Sequence, residues 1–319
     1  MRIRPFSRTT LAAPLSLIAL TAALAGCSSP TDDAAAAPAA VSSTAVDSTL
    51  AGELPDAIKS SKQIRLGALW ETPPVISVTT TDTSTPVGIA PDLAAAIAPL
   101  LGVKAVWKNM QWPAQLPGVQ SGAVDALWGQ VSATAEREKS VVDLVPFYKS
   151  TMGLLMLGGK TSGVTGLASM CGRKVGVPVG SIQSDTVKKV SAASCAGNPI
   201  QLAEYSGATA AISAVRAGTV DAWMDATPSQ EAVVKKSGST FSVVEVPTSE
   251  FATQYTTIAV GKNQPGLTKA LLGAMQKIVA DGTYDKIMAK YDMSSAAITS
   301  SELVANPASG TAIGEKAAS

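Results

Sequence analysis

Three patterns of apolar and polar positions divide the chain. The first is a mainly apolar run from Leu11 to Ala25 that follows Arg2, Arg4 and Arg8. It is too short and too early for a spanning helix and has the shape of a secretory signal. The second, from Ser28 to about Leu50, is Ala, Ser, Thr, Pro and Asp with no apolar period. Such a segment has nothing to drive burial and predicts a flexible tether.

The third pattern fills the remainder. Apolar runs of strand length alternate with stretches whose apolar residues recur every three or four positions. "IRLGAL" (Ile64 to Leu69) predicts a strand, "APDLAAAIAPLLG" (Ala90 to Gly102) a helix closed by glycine, and "VKAVWK" (Val103 to Lys108) the next strand. The rhythm returns at "RKVGVPV" (Arg173 to Val179) followed by "SIQSDTVKKVSAASC", and again at "TAAISAVRAG" followed by "TVDAWMD". Two helices are expected in "LTKALLGAMQKIVADGTYDKIMAKY", separated by a turn at Gly282. The alternation implies an α/β fold. After Ile298 the composition turns small and polar, which predicts a disordered tail over 299–319.

One internal echo matters. "GVQSGAVDALWGQ" (Gly118 to Gln130) and "AVRAGTVDAWMDA" (Ala214 to Ala226) share a helix end, a glycine stop and a "VDA" opening a strand. Ligands of open α/β sheets sit beyond the carboxyl ends of strands, so the residues after each copy are candidates. After the first come Ser132, Thr134 and Arg137; the second leads to Asp225. A cation donor and an acceptor carboxylate on separate lobes are what a zwitterion needs when it leaves water. From spacing alone Arg137 reads as a surface helix charge, and Asp225 equally well as a turn or cap. Asp125 and Asp221 read as turn residues at strand entry.

Composition removes whole classes of chemistry. The chain has 319 residues, room for two lobes, and 25 basic against 24 acidic residues, a balance that argues against nucleic acid as partner. It contains 0 histidines, which excludes Ser-His-Asp and Cys-His nucleophile systems and His-containing metal sites. No phosphate loop of the GxxxxGK[ST] type occurs. No metal and no cofactor is expected. The quartet "LAGC" (Leu24 to Cys27) resembles the bacterial lipoprotein box, so Cys27 is expected to carry lipid and to anchor the chain to the outer face of the cell membrane.

The run "LPGVQSGAVDALWGQVSATAEREKSVVDLVPFYKS" resembles the signature region of the amino-acid type solute-binding proteins of ABC importers. So do "KVGVPVGSIQ", "VDAWMDATPSQEAV" and "DGTYDKIMAKY". The resemblance covers roughly Ile64 to Met293 in order. It implies a bilobed α/β periplasmic-binding-protein fold of type II, two α/β lobes joined by two hinge strands. Lobe 1 would be 51–149 with 250–298 and lobe 2 would be 150–249, following a signal at 1–27 and a tether at 28–50. The hinge strands would run near Lys149 to Gly153 and Val246 to Thr253. It further implies a monomer that clamps an amino acid by hinge closure and presents it to an ABC permease with its ATPase subunits.

Transferred position by position, Arg137 matches the arginine that grips the ligand α-carboxylate, and its planar fork suits that task. Ser132 matches the hydroxyl and amide beside it, whereas Thr134 matches a threonine that caps the following helix. Asp225 matches the carboxylate that receives the α-ammonium, with backbone carbonyls of Gly129 and Gln130 offered to the same group. Trp112 falls where an aromatic covers the ligand; Trp70 is the only aromatic near the first strand-to-helix loop, where "WETPPV" has Thr72 instead of an aromatic residue. In "GSIQ", Ile182 stands where a threonine is common, leaving its amide at a helix N-terminus for the carboxylate. Ser181 and Gln183 read as ligand contacts or as helix capping. Leu69 occupies a place that is acidic in binders of basic amino acids. Cys171 and Cys195 flank one strand and helix and are expected to pair outside the cell. Two other readings use the same fold: a cyclohexadienyl dehydratase-like enzyme, for which Glu71 is the candidate acid, and an extracytoplasmic sensor.

Overall fold

The computed structural model describes residues 45–316, so the signal, Cys27 and most of the tether lie outside the described residues. The chain begins with two short helices, α1 (Ser48–Glu53) and α2 (Asp56–Ser61), then β1 (Gln63–Ala68), α3 (Ile89–Ile97), β2 (Lys104–Asn109), α4 (Trp112–Gln120), β3 (Ala126–Ser132), α5 (Ala135–Ser140) and β4 (Val142–Ser150). It then enters a second sheet with β5 (Met152–Leu157), β6 (Lys174–Pro178), α6 (Ile182–Ser194), β7 (Gln201–Tyr205), α7 (Ala208–Arg216), β8 (Ala222–Ala226), α8 (Thr227–Ser237) and β9 (Phe241–Glu245). It returns through β10 (Gln254–Gly261), α9 (Pro265–Ala280) and α10 (Thr283–Lys290).

Each lobe is built on a five-stranded sheet. The orders are β2-β1-β3-β10-β4 and β7-β6-β8-β5-β9. In the first, β1 runs parallel to β2 and β3 while β10 lies antiparallel between β3 and β4. In the second, β6 runs parallel to β7 and β8 while β5 lies antiparallel between β8 and β9. The two frames therefore match strand for strand. The chain passes between them at Thr151 and again between Glu245 and Gln254. Parallel strands covered on both faces need continuous apolar runs, which is why β3 and β8 are almost wholly buried and β1 and β6 hold three-residue buried runs.

The echoed segments hold equivalent places. Gly122 and Gly218 end α4 and α7 in left-handed conformation, with φ of 74° and 70°. Asp125 and Asp221 then do the same job at strand entry. Each donates its own amide to the neighbouring parallel strand and accepts that strand's amide on its carboxylate: Arg65 N to Asp125 at 2.7 Å and Lys174 N to Asp221 at 2.8 Å. A disulfide joins Cys171, ahead of β6, to Cys195, at the end of α6.

Two expectations need correction at the edges of the fold. Order begins before Leu50: Asp47 caps α1 by accepting from the amides of Thr49 and Leu50, forms an ion pair with Lys277, and brings Leu50 against Gly273 of α9. The segment after Ile298 is ordered as well. Leu303 and Asn306 are buried, and Glu302 holds Lys149 at 2.8 Å and the Tyr255 hydroxyl at 3.1 Å. Among the described residues no helix is long and apolar enough to cross a membrane, and no group of three or more His, Cys, Asp or Glu residues could hold a metal.

Candidate functional site

The strands β3 and β8 both end at a cleft of about 530 Å³ between the lobes. From the first lobe come Leu69, Thr72, Trp112, Gln115, Gln130, Ser132 and Arg137. The second contributes Asp225 and Trp223 from β8, Pro178 and Ser181 to Gln183 around the start of α6, and Ser206 to Ala208 at the start of α7.

Arg137 sits in α5, a helix of six residues whose start is fixed by Thr134, the hydroxyl of which accepts the Arg137 amide at 3.2 Å. Thr134 is thus a cap and is not a cleft residue. The Arg137 guanidinium donates to the Ser132 carbonyl at 2.9 Å and lies 5.8 Å from the centre of the Trp112 ring. Burial pulls it below its ordinary pKa, against the opposing pull of Glu136 and Asp185, but a guanidinium stays charged. Arg137 lines the cleft and has no carboxylate partner among the described residues.

Asp225 is buried on β8, where its carboxylate accepts the Ala226 amide at 2.8 Å. Burial pushes its carboxyl up to about 6, since an ion loses its hydration there without a cation beside it, against the lowering pull of the Ala226 amide and the Trp223 side-chain N–H. Among the described residues neither Arg137 nor Asp225 belongs to an ion pair. The other residues of this lining are uncharged, and Glu71 borders it in an adjoining pocket that shares Thr72, Ala208, Trp223 and Asp225.

Ser181 caps α6 through the Ser184 amide at 3.3 Å and also lines the cleft, so capping and lining coincide in one residue. Ile182 lies beside it at the helix start. Gln130 lines the cleft and spans it: its side-chain amide donates to the Ser229 hydroxyl of α8 at 2.5 Å. Three more contacts cross between the lobes. The Trp112 amide donates to the Ser206 carbonyl at 3.3 Å, the Thr209 amide donates to Glu71 at 2.9 Å, and Lys235 pairs with Asp292 at 3.2 Å. The lobes are therefore in a closed arrangement.

Two expected contacts are not found. Trp70 is buried in the first lobe's core and does not line the cleft; its amide is occupied by the Asn109 side chain at 3.1 Å. Gly129 does not line it either. A Cβ there would stand 3.1 Å from that of Ala68, so the glycine serves the close approach of β3 to β1.

The structure adds Gln115, whose buried side-chain carbonyl has no partner, and the loop from Ser206 to Ala208, and it puts Trp223, which the sequence leaves open between core and cleft, in the lining. The rule that sites lie beyond strand ends also applies to β7, and could have found that loop. Gln115 carries no comparable signal.

Sequence comparison agrees with this geometry. The model of bacterial extracellular solute-binding proteins, family 3, matches residues 64–294. A probable histidine-binding protein of Neisseria gonorrhoeae is 28% identical over 206 residues, covering 64% of this chain and 74% of the relative. The ABC transporter glutamine-binding protein of Bacillus subtilis is 26% identical over 250 residues, 74% and 87% of the two chains. Among solved structures, an ancestral arginine-binding protein bound to glutamine superposes with a TM-score of 0.66 at 29% identity, covering 73% of this chain and 98% of its own. An amino acid ABC transporter substrate-binding protein of Streptococcus pneumoniae bound to L-arginine shares the fold, with a TM-score of 0.67 at 24% identity and coverage of 76% and 100%.

Proposed function

Because the chain belongs to family 3 of the bacterial extracellular solute-binding proteins, we propose that its cleft captures a free amino acid as the zwitterion. The observation that carries this is the charge inventory of the lining, one guanidinium from the first lobe and one carboxylate from the second, with Glu71 at its border already engaged by the Thr209 amide. Arg137 would take the α-carboxylate in a bidentate grip, with the Ser132 and Ile182 amides nearby, and Asp225 would take the α-ammonium. Trp112 and Trp223 offer flat apolar surface to the ligand's carbon frame. Uncharged Leu69, Thr72 and Gln115 suit a ligand whose side chain carries no charge.

Because the two charges sit on different lobes, the ligand is fully engaged only when the cleft is shut. Binding then shifts the population toward the closed form, which a permease with its ATPase subunits reads as loaded. Lipid on Cys27 would keep the monomer at the outer face of the membrane; Cys27→Ser should leave unprocessed precursor, detected by the loss of lipid labelling. The reading is one of capture without chemistry. Glu71, the acid a dehydratase would need, is engaged with the Thr209 amide at 2.9 Å. Conversion of prephenate or arogenate by the purified protein would replace capture with catalysis.

A thermal-shift screen against the L-amino acids tests the reading directly, since a ligand that binds the folded form raises the melting temperature. Calorimetry on Arg137→Ala and Asp225→Ala follows. Removing one partner of a desolvated charge pair costs about 2–5 kcal/mol, so each should weaken binding by roughly thirtyfold or more. A decarboxylated amine should be indifferent to Arg137→Ala and a deaminated acid to Asp225→Ala. Small, equal effects of both substitutions on every ligand would remove the zwitterion reading.

A further inference from the structure

The segment 299–316 has no part in the proposed capture, yet it is tied closely to the first lobe. Asn306 closes the open edge of β4: its amide donates to the Leu144 carbonyl at 2.8 Å and its side-chain carbonyl accepts the Leu144 amide at 2.9 Å. Its side-chain NH2 reaches Asp143 at 3.0 Å, and Asp143 is also bound by buried Lys262 at 2.9 Å and by the Gly314 amide at 2.8 Å. The strap is thus fastened on both sides of Ala308 and Ser309.

Those two residues meet Glu138. Its carboxylate is fully buried, and its two oxygens accept the amides of Ala308 at 3.0 Å and Ser309 at 2.5 Å. Glu138 directly follows Arg137 in α5. A helix of six residues is too short to fix its own orientation. Successive residues diverge by ~100° around a helix axis, so one can face the strap while its neighbour faces the cleft. Locking Glu138 removes the freedom of α5 to roll about its axis, and with it the freedom of the Arg137 guanidinium to leave the cleft wall.

We propose that the strap 299–316 is a positioning element of the binding site, and that Glu138, clamped by the Ala308 and Ser309 amides, is the positioning residue for Arg137. The ligand role of Arg137 is the reading given above, but the clamp can be tested without a ligand. In the ligand-free protein labelled with 15N-arginine, exchange of the Arg137 Nε proton reports how firmly the guanidinium is held, with Arg65 as internal reference. Glu138→Gln keeps the shape and removes the charge; Ala308→Pro removes one donor and leaves the carboxylate. Each should speed exchange at Arg137 by about threefold or more and leave Arg65 unchanged, as expected for local loosening. A lowered melting temperature with unchanged exchange at Arg137 in both variants would overturn the proposal and leave the strap a purely structural stay. Affinity provides the second arm, with the L-amino acid that most stabilises the wild type and its decarboxylated amine as probes. Glu138→Gln should weaken the amino acid about tenfold and the amine much less, because a misplaced donor loses its oriented contact. Faster exchange without that difference would uphold the clamp and instead remove the carboxylate role of Arg137.

Discussion

The strands β3 and β8 begin alike and end differently. Both follow a helix closed by a left-handed glycine, and both are pinned by an aspartate that clamps the neighbouring parallel strand. Four residues past that aspartate, the first strand has Gly129 and the second has Asp225. One position thus serves backbone packing in one lobe and presents a buried charge in the other. The shared frame is set by glycines and strand pairing, whereas the chemistry depends on single residues at the strand ends, where substitution leaves the frame intact. The first lobe places its charge later, on α5, beside Glu138 and its bonds to the Ala308 and Ser309 amides.

Forcing the two strand ends to be the same should have the largest effect. Gly129→Asp would press a Cβ against Ala68 and bury a carboxylate without a cation, and such changes cost about 4 kcal/mol or more. Urea unfolding should show a strongly lowered midpoint; a stable variant would mean that the two positions are interchangeable after all.

A smaller effect of opposite sign is expected at the second strand end. The folded-state pKa of Asp225, about 6, lies above that of an unfolded aspartate, so folding takes up a proton between about pH 4 and 6. Stability from this group is present at low pH and is lost as pH rises through about 6. Asp225→Asn should therefore stabilise the ligand-free protein at pH 7, by on the order of 2 kcal/mol, and flatten its stability profile between pH 4 and 7. In the wild type, amino acid binding near pH 5 should release a proton, seen as a buffer-dependent heat. A pH-independent stability difference between Asp225→Asn and wild type would contradict the buried-carboxylate account.

The smallest contrast separates the two pins. Asp125 also holds the Arg65 guanidinium, at 2.6 Å, while Asp221 accepts only an amide. Asp125→Asn should cost about 1 kcal/mol and Asp221→Asn about half that, since both keep an acceptor for the strand amide. Equal losses would show that the ion pair adds nothing.

The repeated frame was legible because it is written in periodicity, glycine stops and the "VDA" echo, all of which are local. That Arg137 and Asp225 share one cleft was legible through their place beyond strand ends and through the family resemblance. The strap was not. It is held by backbone amides, Asn306 and two carboxylates, with little apolar burial, so its sequence reads as a polar tail. Trp70 was misplaced because an aromatic beside a strand end reads alike whether its ring turns toward the core or the cleft. Gln115 depends on which of its atoms stays unpaired in the packed lobe, which no local pattern encodes.

The strand orders also set a timetable for synthesis. The second sheet is drawn entirely from residues 152–245, so all five of its strands exist once Glu245 has been made. The first sheet lacks the strand between β3 and β4 until residues 254–261 arrive, and its outer edge stays open until Asn306. The half of the molecule that starts first can therefore finish only last, because the strand that joins β3 to β4 is made after the whole second sheet.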